Sequence, residues 1–188
     1  MRNVFKGLSL PTGDVEPGCV VMWSSKGRLC YGLKLKPHAT AKHAGGFQEN
    51  IVLLSPAELP SGTKAESGIG QLIWRDLRRR VLTVPNAAIL PVLAEGTVEL
   101  EIAGNSQPGE LEIWDEKICL RAGTNVEREN PLIELTTGEI LVGHELPPRN
   151  ESSYPTIVRA WELVRTLEEA VETKILGTYS PGVKGFFA

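Results

Sequence analysis

Short apolar or alternating runs bounded by turn residues fill the first 150 residues of this chain, which read as strands and turns. Nineteen glycines and 13 prolines fall among 188 residues, and both residue types interrupt helix interiors. From Gly96 to Gly143 the turn signals recur at intervals of roughly 8–12 residues, the rhythm of short antiparallel strands in a barrel or sandwich.

The stretches between the turns read as strands. "CVVMWSS" (19–25) and "RLCYGLKLK" (28–36), joined through Lys26-Gly27, predict a hairpin. Period-2 alternation puts Leu29, Tyr31, Leu33 and Leu35 on one face, and Arg28, Cys30, Gly32, Lys34 and Lys36 on the other. The continuous apolar run "IVLLSP" (51–56) suits a strand covered on both faces. "QLIWRDL", "RVLTV" and "AAILPVLA" are further strand candidates, with a break expected near Asp76-Leu77. "GTVELEIAG", "ELEIWDEKICLRAG" and "PLIELTTGEILVG" continue as a meander with a glutamate-rich outward face. Beyond this rhythm no internal repeat is visible. "PPRNESS" (147–153) reads as a linker, because two prolines block helix and ladder alike. After it Ile157, Ala160, Trp161, Val164, Leu167, Val171 and Ile175 recur at spacings of three and four. With Ser153 as N-cap, Pro155 in the first turn and Gly177 as C-cap, they predict an amphipathic helix over 154–176. The expected class is mainly β (α+β). A basic β-rich region (1–94), an acidic meander (95–146), the linker and a C-terminal helix and tail (154–188) are expected to pack as one unit.

An apolar fraction of 41% and a charged fraction of 23% are those of an ordinary globular chain. No run of ~18 apolar residues is present to span a bilayer, and "MRNVFKGLSLPTGDVEPG" lacks the apolar core of a signal peptide. A cytoplasmic protein without a membrane partner is expected. Cys19, Cys30 and Cys119 then read as buried free thiols. The net charge of −3 conceals an asymmetry, since residues 1–90 carry 12 Lys and Arg against 6 Asp and Glu, and residues 91–188 carry 8 against 17. A basic half points to a polyanionic partner, or to two halves that neutralise each other.

Four arginines crowd "WRDLRRR" (74–80). Guanidinium forks match phosphate oxygens, and Trp74 offers a stacking surface for an unpaired base. Arg75, Arg78, Arg79 and Arg80, together with Trp74 and the hairpin cations Arg28, Lys34 and Lys36, form the candidate site for nucleic acid or an acidic protein surface. A solvated, aggregation-resisting strand edge is the plainer account of the same charges. His38 and His43 share one loop and are the candidate catalytic pair, imidazole being suited to acid–base cleavage of RNA. Their spacing is not that of a metal site, and exposed loop histidines are the plainer account. There is no phosphate loop, HExxH, nucleophile elbow or complete dinucleotide fingerprint, so no metal or cofactor is expected.

"GDVEPGCVVMW" as an opening strand and "NIVLLSP" as an inner strand resemble the small SH3-like barrels of the PemK/MazF ribonuclease toxins. Ala57-Glu58 stands where that family favours Thr or Ser, and its arginine-proline pair is missing. The leading expectation is a non-catalytic binding protein with a basic N-terminal face. The resemblance implies an RNA-cleaving alternative. A third is an assembly protein oligomerising through the helix and the Phe186-Phe187 tail.

Overall fold

The computed structural model describes residues 7–25, 27–38, 49–56, 68–93, 98–100 (as backbone), 106–114, 117–123, 130–142, 155–166 and 173–180. In chain order the strands are β1 (Ser9–Pro11), β2 (Val20–Ser25), β3 (Arg28–Lys34), β4 (Ile51–Leu53), β5 (Leu72–Ile73), β6 (Arg80–Thr83), β7 (Ala87–Pro91), β8 (Val98–Leu100), β9 (Leu111–Trp114), β10 (Lys117–Arg121), β11 (Leu132–Glu134), β12 (Ile140–Leu141), β13 (Thr156–Val158), β14 (Trp161–Thr166) and β15 (Thr173–Tyr179). They form three antiparallel sheets in the orders β1-β6-β2-β3-β4-β5, β8-β13-β9-β10-β11-β12 and β15-β14-β7. A 3-10 turn at Thr12–Asp14 is the one helical element among the described residues.

The helix expected over 154–176 is not formed. Its described residues form β13, β14 and the start of β15, with Pro155, Arg159 and Ala160 between or before them. Thr156, Ile157, Val158, Trp161, Val164, Thr166, Thr173, Ile175, Thr178 and Tyr179 are β-branched or aromatic, types that fit a pleated surface better than a helix. The three-four spacing arose because β13 and β14 are buried on both faces, so their apolar residues do not simply alternate. Leu163, outside the expected stripe, is fully buried, whereas Ile175, inside it, is 48% exposed. Gly177 sits within β15 opposite Leu163, where the register skips Leu176 in a bulge that turns this leucine into the core. The linker 147–153 and the residues Phe186 and Phe187 lie outside the described residues.

One apolar cluster joins all three sheets, through Tyr31, Leu33 and Val52 of the first, Leu111, Leu120 and Ile133 of the second, and Trp161, Leu163 and Leu176 of the third. The first sheet also buries its other face, where Val21, Trp23, Cys30, Ile51, Leu53 and Val81 form a second cluster. That explains the unbroken apolar run of β4. Cys30 and Cys119 are buried and Cys19 partly so, all three as free thiols. Burial pushes the Cys119 thiol up to about 12, with Glu134 and Glu112 adding to the effect.

Contrary to the sequence reading, the chain does contain a repeat. The first two sheets have the same strand order under the correspondence β1/β8, β6/β13, β2/β9, β3/β10, β4/β11 and β5/β12. The registers agree residue by residue. Gly18 donates its N–H to the Lys34 carbonyl and Gly109 to the Arg121 carbonyl, each at 2.8 Å. Both glycines follow a proline and have positive φ. Gly70 donates to Leu53 as Gly138 donates to Glu134. Lys34 faces Ile51 as Arg121 faces Leu132. The halves meet about an approximate two-fold axis, because β7 pairs antiparallel with its counterpart β14 and the equivalent residues Ile89 and Leu163 face each other. The axis also interlocks the glycines. A Cβ on Gly70 would strike the backbone of Gly109, and one on Gly138 would strike Gly18 and the Lys34 carbonyl. β15 is added to β14 alone, and among the described residues the outer edge of β7 has no such strand.

Candidate functional site

Ile73 ends β5, and the chain must then return to β6, which lies across β4, β3 and β2 in the same sheet. Residues 74–79 make that crossing over the face that carries Trp23 and Cys30. Asn50 holds the start of the crossing. Its Nδ2 donates to the Arg75 carbonyl at 2.7 Å, and its Oδ1 accepts the Arg75 N–H at 3.0 Å. The far end is a turn, in which Asp76 Oδ1 accepts the Arg78 N–H at 2.9 Å and the Asp76 carbonyl accepts the Arg79 N–H at 3.0 Å. Thr12 donates both its N–H and its hydroxyl to the Arg79 carbonyl, and Gly13 donates to the Leu77 carbonyl. The break expected near Asp76 is therefore a turn pinned at both ends.

This backbone fixes where each guanidinium goes. Arg75 lies over the Trp23 ring, 4.8 Å from its centroid, and Nη2 donates to the Arg80 carbonyl at 3.4 Å. Its Nε is buried without a hydrogen-bond partner. Burial first, and then the charge of Arg79, hold the Arg75 guanidinium below its ordinary value. Arg78 and Arg79 are exposed. Arg80 is exposed too, but its guanidinium is engaged by Ser9, through Nε to Oγ at 3.0 Å and through Nη2 to the carbonyl. Trp74, beside Arg75, is 41% exposed. Among the described residues no carboxylate forms an ion pair with any of these four arginines. Elsewhere the protein does pair its cations, as in Lys36 with Glu139, Lys117 with Glu134, Arg121 with Glu112 and Arg159 with Glu110.

The basic face expected along β3 does not form as a unit. Arg28 is exposed at the hairpin end of the strand, opposite Ser25 of β2. Lys34 is only 6% exposed, because its strand face is the one buried against Ile51. Desolvation lowers its ammonium below the ordinary lysine value. Lys36 is exposed and shares a 3.5 Å ion pair with Glu139, a contact worth little at a surface. His38 follows β3 at the end away from Arg28, and His43 lies outside the described residues. Sequence reading also missed Trp23 as the platform under Arg75, and Asn50 as the clamp. A lone Asn directly before the apolar run "IVLL" was the available sign of the latter.

The second half places a different arrangement on its equivalent face. Glu112 and Arg121, both buried, form an ion pair there. Ser106 Oγ donates to Glu112 Oε1 at 2.5 Å, Trp114 Nε1 donates to Glu112 Oε2 at 3.0 Å, and Arg121 donates to Ser106 Oγ and to the Asn130 carbonyl. Every strong group of this network is satisfied, which makes it structural. Among the described residues no cluster of three metal-binding side chains occurs, and no helix is long and apolar enough to cross a membrane.

Fold and site together define a mainly β protein of two like halves with an arginine-bearing turn on the first. No protein-family model matches the chain, and no curated protein or solved structure does either.

Proposed function

We propose that this is a non-catalytic binding protein that takes the phosphates of single-stranded nucleic acid on the turn Arg75–Arg80. The observation that carries the reading is the contrast in charge pairing. Arg78 and Arg79 stand exposed without a carboxylate among the described residues, while Lys36, Lys117, Arg121 and Arg159 are each paired with one. Trp74, exposed beside them, adds a face on which an unstacked base can lie, worth about 1–3 kcal/mol per stacked base. A duplex offers no such base, so the single strand is favoured over it. Lys34 and Lys36 have no part in the reading, the first being buried and the second paired.

The test is fluorescence anisotropy of a labelled single-stranded RNA and DNA at low salt, against wild type and Arg78→Gln/Arg79→Gln. Binding by wild type that the double variant loses supports the reading. Absence of binding together with capture of polyglutamate would assign the turn to an acidic protein surface instead. Shortening of the RNA during the assay, abolished by His38→Ala, would assign the protein to the RNA-cleaving class. The described part of the segment expected to form the assembling helix is strand, and Phe186 and Phe187 lie outside the described residues, so no observation favours the assembly reading.

A further inference from the structure

Building on the binding reading above, we propose that the chain is a fused dimer in which only one of two equivalent sites is kept, so that one nucleic-acid strand binds per molecule, on the first half. A two-fold molecule made of identical halves would present the crossing turn twice. The correspondence of β5 with β12 and of β6 with β13 identifies the second counterpart as the segment between Leu141 and Thr156. Its sequence, "VGHELPPRNESSYP", carries Arg149 against Glu145 and Glu151. The segment between Ile73 and Val81 instead carries Arg75, Arg78, Arg79 and Arg80 against Asp76. The three residues before Val81 are arginines, whereas those before Pro155 are Ser152, Ser153 and Tyr154. The sign of the charge is thus reversed between equivalent places.

The matching faces of the two sheets have diverged in the same sense. In the first half the platform is apolar, Val21 and Trp23 in β2 with Cys30 in β3, and an arginine from the crossing lies on the tryptophan. In the second half Glu112 replaces Val21 in register, and Trp114, the counterpart of Trp23, donates to Glu112. The cation of that half, Arg121, is inside the fold and neutralised. By its sequence the second linking segment is net acidic, and the charge on the matching sheet face of the second half is already compensated.

Native mass spectrometry of the full chain with a short oligothymidylate of roughly 8–10 nucleotides, within the site sizes of single-strand binders, counts the strands. One strand per chain is expected, lost in Arg78→Glu/Arg79→Glu and unchanged in Arg149→Glu, with circular dichroism confirming that both variants are folded. Two strands per chain would overturn the single-site inference and leave the binding reading standing. One strand retained by Arg78→Glu/Arg79→Glu, or lost in Arg149→Glu, would place the site off the first turn and overturn both. No binding at all by wild type removes the binding reading and this inference with it.

Discussion

Replacing Glu112 by alanine tests the internal architecture where its cost is easiest to work out. Glu112 is 2% exposed and accepts from Arg121, Ser106 and Trp114. Its removal leaves the Arg121 guanidinium buried without a counter-charge and the indole N–H without an acceptor. Breaking a buried ion pair from one side costs about 3–5 kcal/mol. For a domain of this size each kcal/mol lowers Tm by roughly 2–4 °C, so Glu112→Ala should melt roughly 6–20 °C below wild type. Removing both charges is different. Glu112→Leu/Arg121→Met should recover most of the loss, because a well-packed apolar pair replaces a buried ionic one at little net cost. The first half already shows an apolar residue at the matching place, Val21. Differential scanning calorimetry on the three proteins decides the matter. A single variant that melts within ~2 °C of wild type would refute the argument, since that little change means water reaches Arg121 and the pair is not desolvated.

Other outcomes follow from the same structure. Gly18→Ala and Gly70→Ala each put a Cβ into backbone of the opposite half, at φ +82° and +77°, and each should lower stability by at least ~1–3 kcal/mol in urea titration. Equal stability would contradict the interlock. Tyr179, stacked on Trp161 and held by burial at about 12, keeps its proton longer folded than unfolded. Stability should therefore fall as pH rises from 10 to 12, and Tyr179→Phe should flatten that fall in alkaline melting curves. Lys34 is the opposite case. Its lowered folded value means that the unfolded state binds the proton more readily, so Lys34→Met should be the more stable protein at neutral pH. Its advantage should shrink as pH approaches 10.5, and an advantage that grows instead would reverse the sign.

Most strands were legible because turn chemistry and apolar runs mark them locally. β2 and β3 flank Lys26-Gly27 as read, and β4 is covered on both faces as its unbroken run implied. The C-terminal segment misled because burial on both faces erases period 2, and an irregular apolar string can imitate a helical stripe. The repeat was hidden by unequal loops. Sixteen residues separate Leu53 from Gly70 and three separate Glu134 from Gly138, yet both pairs close with the same hydrogen bond. Few side chains are shared beyond Pro17-Gly18 with Pro108-Gly109, and Trp23 with Trp114. What the halves have in common is backbone pairing, which leaves little trace in residue identity. At the site, the arginine cluster was plain, but alternation alone put Lys34 on an open face. Only the fold shows that Lys34, opposite Ile51, is buried on that face.

The salt dependence of single-strand binding probes the site most directly. Each phosphate neutralised on a single strand contributes about −0.7 to the slope of log K against log salt. Two or three contacts predict a slope of about −1.4 to −2.1, hence binding weakened roughly 7- to 18-fold by a fourfold rise in salt. Arg78→Gln/Arg79→Gln should make that slope shallower by about 1.4. A slope that stays the same in the double variant would mean that these two guanidinium groups touch no phosphate.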